Sequence, residues 1–383
     1  MRHIESLENH ITDTPPVLPL CISMTGTIRI RDIEVRAGEK KTGFLKISET
    51  PVGSLDMPIA IVNGKKDGPA LCLTAGAHPC EYSGIAAVIR IIKETSPDGL
   101  SGAILGVPVL NMAGFSSRIA RDSAAGAGPG PSSTHIARPN PIDNINVSRV
   151  FPGRVDGTVT ERMVYVLVNE ILKKCDMRID CHGGDHDERV NPNTYFSRIG
   201  DEKHDRKVES MARIYGFRYI IERDAASSGS TTTIAPGIIA ECGGIKVLLE
   251  SDINQHVEGI RNVMKFFKMI EGKPRIRVKQ FLVKGFFLVK ANRGGLFYPV
   301  VEVGDSVKKG QKVGEIWNLW GDVTETLVSP GDGVVRIIRT NHAAYTGDVL
   351  MQIMQSPEPA PPFPPTDPFI ELAEYEQISK VFI

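Results

Sequence analysis

Two histidines and two glutamates carry the chemistry most readily read from this chain. His78 and Glu81 stand three residues apart in GAHPCEYSG (76–84), His182 lies in DCHGG (180–184), and Glu241 lies in AECGG (240–244). In a strand-to-helix turn, the spacing of His78 and Glu81 lets both side chains face one point, and His182 can bring a third donor from an adjacent strand. Two imidazoles and one carboxylate are a common catalytic zinc set, with the fourth position left to water. That donor set suits borderline-soft Zn²⁺, one per chain, better than Mg²⁺ or Ca²⁺. Glu241 is then a spare carboxylate, free to take the proton from metal-bound water. Asp180 precedes His182 by two residues, so in an extended strand it points to the same side and is placed to hold a ligand imidazole from behind. An HxxE pair alone arises by chance on many helices; the weight lies in the convergence of these residues at successive strand ends.

The elements that must position them alternate. Ala70–Ala75 and Ala103–Leu110 are short apolar runs, the pattern of strands buried on both faces, and Asp176–Cys181 and the short Ile238–Glu241 are two further strand candidates. Between and after them, Tyr82–Thr95, Thr160–Lys174, Lys207–Tyr215 and Asn254–Ile270 read as helices, the second opened by a Thr158/Glu161 capping box. Strands alternating with helices predict an α/β domain with a largely parallel sheet, whose ligands gather beyond the carboxyl ends of the strands. His78 and Glu81 follow the first strand, Asn111 the second, His182 the third, and Glu241 ends the fourth. Asp122–Pro141, crowded with Gly, Pro and Ser, breaks the rhythm as a long loop. From about Lys279 short segments separated by Gly turns predict an all-β barrel or sandwich. The expected organisation is an N-terminal β-rich segment (1–54), an α/β catalytic domain (55–275), a C-terminal β-domain (276–355), and a Pro-rich linker and tail (356–383).

Composition narrows the class. The 383 residues carry 45 Lys+Arg and 45 Asp+Glu, so the formal net charge is zero. A basic nucleic-acid surface and a polybasic membrane anchor are therefore not expected. No apolar run reaches 18 residues, which argues against a membrane span. The first ten residues hold two acids and no apolar block, so a secretory signal is not expected. Six cysteines without a CxxC point to a reducing, cytoplasmic setting. A homo-oligomer is compatible with the sequence, and a small-molecule partner fits a neutral chain with local arginines.

Together, GAHPCEYSG, NMAGF (111–115), RPNPIDNINVSRVFPG (138–153), DCHGG and AECGG, followed by VEVGDSVKKGQKVGEIW (301–317) and VSPGDGVV (328–335), resemble the succinylglutamate desuccinylase/aspartoacylase family. Order and spacing match over roughly residues 55–355. The resemblance implies a zinc carboxypeptidase-like fold, a mixed, largely parallel sheet flanked by helices, with a β-domain after it. It implies hydrolysis of a small N-acylated amino acid or amine, with zinc on His78, Glu81 and His182 and with Glu241 as the general base. Arg138 matches the arginine that contacts the substrate carbonyl, and Arg149 the arginine that grips a substrate carboxylate, beside Asn146 and Ser148. A planar guanidinium donates two parallel hydrogen bonds, which suits either task. An N-acetyl-diaminobutyrate-type deacetylase is one subfamily in view.

The departures are specific. Pro79 and Cys80 replace the Gly-Asp usual between the ligands, Asn144 replaces a glycine, and Ser148 replaces an asparagine before the closing arginine. The stretch 119–137 is longer than the family pattern. His186, four residues after His182, is read as a loop histidine because Gly183-Gly184 disfavours a helix. Arg118 and Arg121 compete with Arg138, whose following motif aligns without gaps. Cys80, Cys181 and Cys242 adjoin site residues, but Cys181 and Cys242 should face away from the rim. The Gly-Asp β-domain is similar to a lipoyl or biotinyl carrier domain; it lacks the lysine-bearing hairpin tip and is read as a cover for the cleft. A metallocarboxypeptidase and an esterase on the same zinc site remain alternatives, as does a non-enzymatic metal-binding scaffold.

Overall fold

The structure is a computed structural model that describes residues 26–51, 53–117, 138–224 and 234–360. The long stretch 119–137, Arg118, Arg121, Cys21, the Gly229–Thr233 loop and the tail beyond residue 360 lie outside the described residues. The chain builds one long mixed sheet. Its strands include β1 (Lys40–Thr50), β2 (Gly53–Asn63), β3 (Lys66–Ala75), β4 (Ser101–Val107), β5 (Met177–His182), β6 (Glu188–Arg198), β7 (Tyr219–Asp224), β8 (Gly237–Gly244), β9 (Phe281–Val283) and β10 (Phe286–Lys290). Further on come β11 (Gly295–Pro299), β12 (Lys312–Trp317), β13 (Val323–Val328), β14 (Gly333–Arg339) and β15 (Val349–Gln355). The order across the sheet is β10-β15-β14-β6-β8-β5-β3-β4-β2-β1.

At its centre β8, β5, β3 and β4 run parallel. These are the four strands whose ends carry the candidate residues. Side chains alternate between two cores: Leu71 and Leu73 pack under α1 (Tyr82–Glu94), α3 (Glu202–Ile214) and α4 (Glu250–Phe266), whereas Ala70 and Cys72 face α2 (Val159–Val166) on the other side. Burial on both faces is why β3 and β4 are largely apolar runs, whereas β5 buries Arg178 and Asp180 as a pair. The capping box expected at α2 is present: Thr158 Oγ1 accepts from the Glu161 amide, and Glu161 Oε2 accepts from the Thr158 amide. Beyond Val166 the expected α-helix passes through a π turn (Leu167–Ile171) and a 3₁₀ turn (Leu172–Lys174).

The sheet runs across both divisions expected from sequence. The break expected at 54/55 falls inside the β1–β2 hairpin. The break at 275/276 is spanned because β6 pairs with β8 on one side and with β14 on the other. β6 is not among the strands expected from sequence: ERVNPNTYFSR is largely polar and contains Pro192. Pro192 sits where the register shifts between Val190 and Asn193, a bulge that tolerates a missing amide donor. A separate four-stranded sheet (β13-β12-β11 and Ala343–Ala344) packs against β10, β14 and β15 of the long sheet over a shared core that includes Phe297, Val313, Ile316, Leu327, Val335 and Met351. Among the described residues no helix is long and apolar enough to cross a membrane.

Helix α1 lies against β5 through Gly84, where a Cβ would come within 2.7 Å of the Cys181 carbonyl oxygen. Alanine would gain about 1 kcal/mol in helix propensity, but overpacking backbone costs about 1–3 kcal/mol. The clash wins, because the obstacle is a strand rather than a flexible side chain. Gly84→Ala is expected to lower stability, read as a fall in the urea midpoint at unchanged slope.

Candidate metal centre

His78, Glu81 and His182 meet at the carboxyl ends of β3 and β5. Gly76, at φ +64°, turns the chain out of β3 and leads to His78, and Glu81 takes the N-cap position of α1. All three side chains are buried. His78 Nδ1 lies 2.8 Å from Glu81 Oε1, His182 Nδ1 lies 2.8 Å from Glu81 Oε2, and the two Nδ1 atoms are 3.2 Å apart. Ligand atoms around a tetrahedral ion with bonds of about 2 Å stand roughly 3.3 Å apart, so this spacing is close to what one ion requires. The Gly183 amide donates to Glu81 Oε2 at 3.1 Å, and the N-terminus of α1 favours the carboxylate further.

The other nitrogen of His182 is fixed as expected from sequence. Nε2 donates to Asp180 Oδ2 at 3.1 Å, which leaves the Nδ1 lone pair turned to the cluster. Asp180 is held in turn by Thr74 Oγ1 at 2.6 Å and Arg178 Nη2 at 2.6 Å. Deeper still, His256 Nε2 donates to the His182 carbonyl at 3.0 Å, and the Tyr215 hydroxyl donates to His256 Nδ1 at 2.8 Å. Burial holds His256 down to about 4, so it serves as a neutral strut.

The electrostatics favour a cation at this point. Burial opposes ionisation of Glu81, yet His78 and His182 outweigh it and hold the carboxyl at about 2. Burial disfavours a charged His182, yet Asp180 and Glu81 push it up to about 10. Without an ion, a proton on imidazole supplies the positive charge that two buried carboxylates demand; a divalent ion would supply it to neutral imidazoles.

The remaining sequence candidates divide. Glu241 pairs in register with His182 across β8 and β5, so its side chain leaves the same face. It is not the free carboxylate expected: Arg336 of β14 donates through Nη2 to Glu241 Oε2. Sequence reasoning missed Arg336. The signal was two arginines in GVVRIIR, a run whose other residues are apolar or glycine, because a buried guanidinium must have a partner. Arg138 donates through Nε to Asp185 Oδ2 at 2.8 Å and lies 3.4 Å from Glu188 Oε2. Burial lowers its affinity for the proton, but Asp185, Glu188, Glu81 and Glu241 together raise it well above the ordinary range. Asp185 also accepts from Cys80 Sγ at 3.0 Å, which gives the Cys80 of HPCE a structural partner. Burial, with Asp185 and Glu81 nearby, pushes the Cys80 thiol far up. Cys181 and Cys242 turn into the core toward Tyr215 and Asp252, as strand alternation requires.

The structure does not bring Asn146, Ser148 and Arg149 onto the cluster. Asn146 Oδ1 accepts from the Ser148 amide and caps the turn Val147–Arg149, and Ser148 and Arg149 are exposed. Asn144 adopts φ +58°, the left-handed conformation the family's glycine serves and one that asparagine tolerates. Asn111 is also a cap: its Oδ1 accepts from the Gly114 amide, so it fixes a turn at the rim. His186 occupies a turn beside Asp185 and Asp187, as expected.

A cluster of two histidines and a glutamate that could hold a metal ion, at the ends of parallel strands within an α/β sheet that continues into a β-rich C-terminal region, defines the class. The succinylglutamate desuccinylase/aspartoacylase catalytic-domain model matches residues 67–267, and the chain belongs to that family. It is 24% identical over 343 residues to N-α-acetyl-L-2,4-diaminobutyric acid deacetylase from Halomonas elongata, covering 84% of this chain and 94% of that one. Among solved structures, the product-bound ectoine utilization protein EutE (DoeB) from Ruegeria pomeroyi superposes with a TM-score of 0.72 at 22% identity, over 83% of this chain and 95% of that one. The succinylglutamate desuccinylase/aspartoacylase from Rhodobacter sphaeroides gives 0.70 at 24%, over 82% and 95%. Both share the fold.

Asp180→Asn, which keeps the shape but weakens the hold on His182, is expected to loosen divalent-ion binding about 10- to 100-fold. Competition with a chromophoric chelator reads this directly.

Proposed function

We propose that this protein is a zinc-dependent amidohydrolase that cleaves the amide bond of a small N-acylated amino acid or amine. The observation that carries the reading is the convergence of two imidazole nitrogens on both oxygens of one buried carboxylate, with Glu241 in register beside His182. Family membership supports it, and the Halomonas elongata relative is named for deacetylation of an N-acetyl amino acid.

His78 Nδ1, Glu81 and His182 Nδ1 would hold the ion; two imidazoles with one carboxylate fit zinc. When bound, zinc supplies a Lewis acid that polarises the scissile carbonyl and brings the pKa of water toward neutrality. Glu241 takes the proton of the attacking water and delivers it to the departing nitrogen. Arg138, braced by Asp185 and Glu188, faces the charge that develops on the carbonyl oxygen. Arg149, with Asn146 and Ser148, lies on an exposed turn off the cluster, so these residues would meet only the end of a substrate that extends away from the scissile bond. The five described cysteines are unpaired, which suits a cytoplasmic enzyme.

Glu241→Gln is expected to retain zinc and lose turnover by about 10²- to 10⁴-fold, whereas His78→Ala loses the metal. Elemental analysis and rates on a panel of N-acyl amino acids, esters and short peptides check both. Equal zinc in the two variants, or turnover confined to peptides or esters, would overturn the assignment.

A further inference from the structure

Arg336 lies on β14, a strand buried along its whole length, and is only 4% exposed. A cation so placed must be paired within the protein. Its partner is not in the C-terminal core but two strands away, at the candidate centre: Nη2 donates to Glu241 Oε2. Nη1 donates to Gln352 Oε1 at 2.8 Å, and the rings of Tyr195 and Phe286 each lie 5.3 Å from the guanidinium carbon. Two side-chain bonds and two aromatic neighbours leave this guanidinium one orientation. They also remove it from the cleft, so it is poorly placed to bind a substrate directly. Glu241 differs: 18% of its side chain is exposed, and Oε1 accepts no hydrogen bond among the described residues. One carboxylate oxygen is anchored and the other is unengaged among the described residues, the arrangement a proton-transferring group needs.

We propose that Arg336 is the positioning residue for Glu241, so that β14 of the C-terminal region completes the hydrolytic site instead of only covering it. The kinetic part of this inference rests on the amidohydrolase reading. The geometric part does not. Sheet topology gives the coupling a rigid path, because β14, β6 and β8 are consecutive hydrogen-bonded strands between Arg336 and Glu241.

The test uses the full-length, zinc-loaded protein with Arg336→Gln and Arg336→Lys. A small misplacement of a reacting group costs about 100-fold, so Arg336→Gln should lower kcat by about that factor while KM and zinc content stay unchanged. Arg336→Lys should recover part of the loss. Combined with Glu241→Gln, Arg336→Gln should add no further loss. Crystal structures should show the Glu241 carboxylate displaced in Arg336→Gln with the β8 backbone in place. If Arg336→Gln does not fold, Gln352→Leu replaces it: the guanidinium loses one anchor, and a smaller fall in kcat with the same displacement is expected. An unmoved Glu241 carboxylate, an unchanged kcat in an active protein, or an equal extra loss in the Glu241→Gln background would overturn the proposal. A wild-type protein inactive on every N-acyl substrate, with Glu241 still displaced in the variant, would sink the amidohydrolase reading and leave the positioning role standing.

Discussion

A carboxylate buried between two imidazoles requires positive charge at the same point, and much of the structure around Glu81 answers that requirement. Both of its oxygens face an imidazole nitrogen at 2.8 Å. Burial alone would keep the acid protonated, yet the surroundings hold it ionised at about 2. The same demand reaches outward. His182 is held by Asp180, and Asp180 by Arg178 and Thr74, so each buried charge is met by an opposite one or a donor. Removing one member leaves an uncompensated buried charge, which is why such clusters are costly to break.

The sheet converts this local demand into a site. Parallel strands present all their carboxyl ends on one edge, so residues distant in the chain arrive together. His182 and Glu241 are neighbours because β5 and β8 are in register, with Ala240 opposite Cys181 and Glu241 opposite His182. A slip of one residue would send every side chain on the strand to the other face. Antiparallel β6 then attaches the C-terminal strands to the same sheet. Arg336, a residue of the β-rich region, thereby reaches an acid of the α/β region.

The site was legible where the chemistry is local and the strands are apolar. HxxE after ALCLTA and DCH at the end of the third strand state their own geometry: period-two alternation placed Asp180 beside His182 and turned Cys181 away. Asn144, noted from sequence only as a departure from the family's glycine, proves to hold φ +58°, which few other residues accept. What escaped depends on partners far apart in sequence. Nothing near Glu241 announces Arg336, 95 residues on. β6 hid because its sequence is polar and contains Pro192, a composition that fits a strand only once a bulge absorbs the proline. Asn111 was placed at the rim correctly, but its role as a cap follows from the backbone of the turn after it and not from its residue type.

X-ray absorption at the zinc edge on the purified full-length protein tests the central claim most directly. One zinc per chain, with two imidazole nitrogens at about 2.0–2.1 Å, oxygen in the remaining positions and no sulfur, is the predicted result. Sulfur at about 2.3 Å, or a protein that takes up no zinc, would contradict the account.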